Sequence, residues 1–392
     1  MSLQKSAEQL DQLTGIRILA AVWVVLFHLD YQFKHLFGET FQSFGLFSPV
    51  IMRGYLGVDL FFILSGFIIS FVYQKKMQIF SIYESSKFLY LRLARMYPLH
   101  LFMLFVYAAM AFVLQFVLHA GSEHPERFSL LYFVYNFLCI HAWGLVPFTT
   151  WNTPSWSISC EWFAYLLFPL TNLCYRRLNG RWSNSLLILT CVIALVLFKI
   201  ITGKDSVQWT VDYGLVRIFI EFTMGCAFYN IYNLNRQATK TFDIFTLINL
   251  VALIIMAFFN VNDAFMVGAL GTLLYSLSRS EGLLAKSLST RFMIYLGEIS
   301  YSVYMVHACF LFLAFFVLKK LHILTLSPLA LASLVVALLA ILLGVSACTF
   351  RFIEKPARDY LRDKMQNFIP KKRKESSTAP ESFPGVILPA SD

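Results

Sequence analysis

The chain has 392 residues, 58% of them hydrophobic and only 14% charged, with a formal net charge of +10 and a mean hydropathy of +0.66. That balance excludes a water-soluble domain and an intrinsically disordered chain, and indicates an integral membrane protein. Seven cysteines (Cys139, Cys160, Cys174, Cys191, Cys226, Cys309 and Cys348) stand singly, with no CxxC or pairing pattern, so a disulfide-built scaffold is excluded and they read as small core hydrophobes.

Residues Met1 to Ile16 include Glu8 and Asp11 and lack a basic n-region or small-residue cleavage site, so no cleaved signal peptide is expected. Apolar runs then recur near 16–34, 55–74, 97–118, 156–175, 185–202, 212–232, 243–260, 264–279, 292–317 and 327–350. Long runs of this kind must be helices, because backbone exposed to hydrocarbon has to satisfy its hydrogen bonds within the segment, and the alternation of a membrane barrel is missing. The expected fold is all-α: a polytopic membrane helix bundle of about ten transmembrane helices, with both termini cytoplasmic.

The side assignment rests on charge. An eleventh candidate, Phe128 to Leu145, is long enough to cross but is interrupted by Asn136, His141 and Gly144. If it does not cross, 24 basic residues fall on the cytoplasmic side and six outside (Lys34, Arg53, Arg127, Lys204, Lys319, Lys320); if it crosses, the bias collapses. The segment is therefore expected to be a non-crossing element within an outer loop of about 119–155. The membrane-embedded domain is expected over 1–355, followed by a cytoplasmic basic, disordered tail over 356–392. Lys371 to Lys374 in that tail serve either as a topology determinant or as a contact for anionic lipid. No internal repeat is evident, which counts against the common transporter folds.

Ionisable residues inside these spans carry the functional signal. On the first helix, Arg17 and His28 are eleven residues apart, which brings them to within about 20° of one direction and about 16.5 Å apart along the axis. Arg17 is expected at the cytosolic entry and His28 in the outer half of the bilayer. Asp59 opens the second span and Glu161 the fourth, each about 7 Å below the outer surface, and His307 reaches the same layer on the ninth. Buried ionisable groups normally face a bundle interior or a wet cavity. Several at one depth point either to a polar chamber, where a carboxylate orients an imidazole for general-base work, or to a structural hydrogen-bonded network tying helices together. Arg92 and Arg95, in "YLRLARMYPLH", share a helical face at the cytosolic mouth; paired arginines suit phosphate, although topology alone also asks for arginine there. The histidines show no metal-ligand spacing, and no metal is expected.

The stretches "LTGIRILAAVWVVLFH", "GYLGVDLFFILSGF", "YLRLARMYPLH", "PSWSISCEWFAYLLFP", "GEISYSVYMVH" and "RFIEKPAR" lie in order between Leu13 and Arg358. Together they resemble the acyltransferase 3 family of integral membrane O-acyltransferases, whose hallmark is an arginine, ten residues, then a histidine. The resemblance implies a multi-pass protein of the bacterial cytoplasmic (inner) membrane that takes an acyl group, usually acetyl, from cytosolic acyl-CoA and passes it to a hydroxyl of an outer-side acceptor. Acetyl-CoA is then the cosubstrate, and Arg17, Arg92 and Arg95 bind its nucleotide phosphates. His28 is the presumed catalytic residue, acting either as base or as acyl carrier, with Asp59 or Glu161 orienting the imidazole. Ser155, Trp156, Tyr301 and His307 are expected to line the chamber, although Trp156 equally suits an interfacial anchor. Trp143 and Trp151 in the outer loop are candidates for stacking on a sugar ring or for interfacial packing, and Glu354 and Arg358 for structural pairing near the donor mouth. Some family members carry a fused esterase-like domain; with about 40 residues after the last span, none is expected in this sequence.

The expected partners are acyl-CoA, a saccharide acceptor such as O-antigen or exopolysaccharide, whether lipid-linked or not, and the lipid bilayer, with no nucleic acid. A secondary transporter or flippase using intramembrane His, Asp and Glu, and a structural or sensor membrane protein, are the alternatives.

Overall fold

A computed structural model describes residues 10–38, 44–117, 124–205, 208–321 and 327–368. Among them run fourteen α-helices: α1 (Asp11–Phe37), α2 (Ser48–Met52), α3 (Gly57–Tyr73), α4 (Ile82–Phe112), α5 (Leu130–Phe137), α6 (Trp156–Tyr175), α7 (Arg181–Thr202), α8 (Gly214–Leu234), α9 (Lys240–Phe258), α10 (Asp263–Ser278), α11 (Leu283–Leu288), α12 (Arg291–Lys320), α13 (Pro328–Thr349) and α14 (Lys355–Phe368). Each of the ten expected apolar segments is helical. Among the described residues, eight helical stretches are long and apolar enough to cross a membrane. The other two are α10, which has only 16 residues, and α6, whose 20 residues include Ser157, Ser159, Glu161 and Asn172. The molecule is thus an integral, multi-pass helical membrane protein.

Helix boundaries follow local chemistry. Ser81 caps α4 by accepting the Glu84 amide at 3.4 Å, with the glutamate three residues on as in a capping box. Ser327 caps α13 ahead of Pro328, and Gly203, in the left-handed region at φ 64°, ends α7.

Packing is governed by close backbone approach. On α3 and α8, Gly66 and Gly225 face each other's helices so tightly that an added Cβ would stand 2.1 Å from the Phe222 carbonyl oxygen and 2.0 Å from that of Ile63. These two are among the most buried spans, whereas α7 and α9 present most of their surface outward, where lipid takes the place of water. Gly297 brings α12 against α1, a Cβ there meeting the Thr14 carbonyl at 2.0 Å.

One expectation keeps its form in the fold and one changes. Within Phe128–Leu145 the helix covers only the eight residues of α5, about 12 Å of rise against a hydrocarbon core of about 30 Å. Residues 355–368, expected mostly as disordered tail, are instead helical: a π-turn at Phe350–Glu354 hands α13 on to α14, which docks on α4 through the Tyr90 hydroxyl and the Leu361 carbonyl at 3.0 Å. The charged pattern of that stretch hides an amphipathic helix. The tail beyond Pro370 and the first nine residues lie outside the described residues.

Candidate active site: two cavities along one helix

Two cavities open along α1, one near each end of its hallmark motif. The first, of about 290 Å³, is lined by Arg17 of α1, Ser65 of α3, Arg92 and Arg95 of α4, Glu161 and Tyr165 of α6, and Tyr301 of α12. All three expected phosphate-binding arginines are therefore brought together, from sequence positions 75 residues or more apart in the case of Arg17. No carboxylate oxygen stands within 4.0 Å of any of the three guanidinium groups among the described residues. Arg92 is braced by aromatic groups instead: it donates to the Tyr73 hydroxyl at 3.0 Å and lies 5.2 Å from that ring's centre. Glu161, the one acid in the lining, accepts hydrogen bonds from Ser65 at 2.8 Å and from Tyr165. Gathered guanidinium groups without a paired carboxylate have the chemistry to take an anion with several oxygens.

The second cavity, of about 1260 Å³, is lined by His28, Trp156, Arg217 and His307, with Tyr55, Trp151 and Thr153 and an apolar flank from α4 and α12. His28 and His307 meet here edge to face, ring centres 4.9 Å apart. Each ring is held by its own helix: His28 Nδ1 bonds the Val24 carbonyl at 2.8 Å, and His307 Nδ1 bonds the Tyr304 carbonyl. A carbonyl only accepts, so Nδ1 carries the proton in both, and in the neutral rings each Nε2 keeps its lone pair. The His307 Nε2 is buried without a protein partner. A base or nucleophile thus faces a chamber large enough for a substrate.

The expected orientation of the imidazole by a carboxylate is corrected by this geometry. His28 and His307 do meet, but neither carboxylate orients the imidazole; Val24 does. Asp59 turns instead to α8, where Arg217 donates to both its oxygens, Nε to Oδ1 at 3.0 Å and Nη2 to Oδ2 at 2.5 Å, with Glu221 3.5 Å from the same guanidinium. Glu161 belongs to the arginine cavity. Trp156 lines the histidine cavity and faces the Arg217 guanidinium at 5.4 Å, and Tyr301 lines the arginine cavity with its hydroxyl on the Met96 carbonyl at 2.6 Å. Ser155 lines neither cavity: its hydroxyl donates to the Asn152 carbonyl at 2.6 Å and receives His141 at 3.0 Å, in a knot that fixes the loop entering α6. Trp151 lines the histidine cavity, whereas Trp143 packs on Phe163 and donates to the Ser159 carbonyl. Glu354 and Arg358 do not pair with each other; Glu354 accepts from Ser302 at 2.6 Å, and Arg358 lies 3.6 Å from Asp359.

Sequence reading passed over Arg217 and Glu221, although an arginine and a glutamate four apart inside an apolar span were a visible signal of a buried charge cluster. It also passed over Tyr304, which, with Val58, lines both cavities.

Comparison of the sequence with known proteins identifies a family. The profile described as an acyltransferase domain, that of the acyltransferase 3 family, matches residues 10–349. The acyltransferase MdmB of Streptomyces mycarofaciens is 30% identical over 176 residues, 44% of this chain and 42% of its own. The peptidoglycan O-acetyltransferase OatA of Listeria monocytogenes is 24% identical over 90% of this chain and 56% of its own, and the O-acetyltransferase OatA of Staphylococcus aureus is 23% identical over 94% and 60%. The chain therefore spans little more than half the length of these OatA relatives. No solved structure matches it. With the profile covering nearly all of the described helices, the chain belongs to the acyltransferase 3 family.

Proposed function

We propose that this protein is a membrane O-acyltransferase that moves an acyl group, acetyl in the simplest case, from acyl-CoA held at the arginine cavity to a hydroxyl of a saccharide acceptor held in the histidine cavity. One observation carries the reading: α1 lines the arginine cavity with Arg17 and the larger chamber with His28, and the two chambers share Val58 and Tyr304 in their linings. A donor with a polyphosphate head and a long thin thioester arm is the class of molecule that such a pair of sites takes. The 290 Å³ arginine cavity suits the arm rather than the nucleotide, which stays at the mouth among Arg17, Arg92 and Arg95.

At the reacting centre, His28 Nε2 either removes the proton from the acceptor hydroxyl as that oxygen attacks the thioester carbonyl, or attacks the carbonyl itself and hands the acyl group on. In both routes the C–S bond breaks and CoA leaves as the thiol. The orientation that suits the chemistry has both termini and the arginine cavity in the cytosol and the histidine cavity on the outer side of the bacterial inner membrane, as the distribution of basic residues asks. Trp151 and Trp156, at the edge of the larger chamber, offer faces for a sugar ring. The OatA relative that acts on peptidoglycan supports a saccharide acceptor.

The test supplies labelled acetyl-CoA to inverted membranes carrying the protein and follows label into envelope saccharides. Transfer that disappears in His28→Ala supports the reading. Label that stays on CoA in every saccharide fraction, with wild type and variant alike, ends it.

A further inference from the structure

The two cavities share two lining residues. Val58 of α3 and Tyr304 of α12 line both, and only Tyr304 is large enough to block a passage between them. On α12, Tyr301, Tyr304 and His307 form a stripe at three-residue steps, each about 4.5 Å farther along the axis. Tyr301 belongs to the arginine cavity, His307 to the histidine cavity, and Tyr304 to both. The phenol is tethered at its far end: its hydroxyl donates to the Pro154 carbonyl at 3.1 Å and lies 2.8 Å from Ser157 Oγ, while its ring is flanked by Phe61 and His307. It is held in place by hydrogen bonds that a side-chain rotation would release, and its backbone carbonyl, which holds His307, would not need to move.

We infer that Tyr304 is a positioning residue that separates donor from acceptor chamber and swings aside only when the thioester arm passes toward His28. This rests on the reading under Proposed function and adds a role to it. Reacting atoms must come to within about 3–3.5 Å, and Tyr304 and Val58 are the side chains that both cavities share between the arginines and His28. With the ring in place, water in the larger chamber is kept from the thioester. Otherwise water adds to the carbonyl carbon, the C–S bond breaks, acetate keeps the water oxygen, and CoA departs as the thiol carrying a proton.

The experiment measures CoA thiol release from acetyl-CoA by the purified full-length protein without acceptor, alongside labelled acetyl transfer into envelope saccharides by membranes. Tyr304→Ala is expected to raise acceptor-free release on the order of tenfold relative to transfer, and Tyr304→Phe, which keeps the ring but loses the tether, to raise it less. The excess release should vanish when His28→Ala is added. A purely structural role would lower release and transfer together, and an unchanged ratio in both variants overturns the inference while leaving wild-type transfer intact. Absence of His28-dependent transfer by the wild type would instead overturn the function on which it rests.

Discussion

Arg217 closes on both carboxylate oxygens of Asp59 across 158 residues of sequence, with neither side chain exposed to solvent. Breaking such a pair strands a charge in a low-dielectric interior, a cost of about 3–5 kcal/mol when one partner is removed. Arg217→Met, which leaves Asp59 and Glu221 together without their cation, is expected to cause that loss, Asp59→Asn, which leaves Glu221 3.5 Å from the guanidinium, a smaller one, and the double variant less than the sum. Thermal unfolding in detergent, arranged as a double-mutant cycle, measures the difference.

His28 is expected to matter for chemistry and little for folding, because among the described residues its ring hydrogen-bonds only to its own helix. His28→Gln should lower turnover by about 10²–10⁴ with an unchanged melting temperature. Unfolding in parallel with lost turnover would assign the residue to structure.

For the arginine cavity the expectation concerns binding. Replacing Arg17, Arg92 or Arg95 with alanine removes a charge-assisted contact of about 1.5–3 kcal/mol, so the KM for acetyl-CoA should rise about 10- to 100-fold with a smaller change in kcat. Raised salt should weaken donor binding in the wild type more than in any of the three variants.

Acid sensitivity is expected from the loop knot. Burial, and to a lesser extent the parallel His100 ring 5.9 Å away, hold the pKa of His141 down at about 3, well below its ordinary 6.5. The native loop refuses a proton that the unfolded chain accepts, so the contribution of this group to stability is complete above about pH 6.5. It is lost as pH falls toward 3, with a slope of at most about 1.4 kcal/mol per pH unit. His141→Gln should flatten the dependence of the unfolding temperature on pH over that window; an equal slope in the variant would remove His141 as the cause.

What the sequence made legible was periodic or local. Apolar runs located ten helices, and the eleven-residue step from Arg17 to His28 put both on one face of α1, where the cavities now find them. Partners fixed by tertiary packing were not legible: nothing near Asp59 names Arg217, and depth alone could not tell that Glu161 would turn toward the arginines while His307 turned toward His28. The Asn136 side chain, which reaches Thr150 at 2.8 Å, together with Ser155 and His141, belongs to a loop whose shape comes from hydrogen bonds rather than from periodicity. The sequence showed an apolar stretch interrupted at Asn136 and His141 without showing the knot these residues form. The charges of α14 pointed to a solvated tail because no single-sequence signal announces that a helix will continue through a π-turn.

Since the two imidazoles are clamped by carbonyls of their own helices, the direction in which each presents its lone pair is written into a single turn of α1 or of α12. A rigid slide of one helix past the other would leave both tautomers untouched and change only the gap between the rings. Inter-helix displacement is therefore the natural dial of this pair.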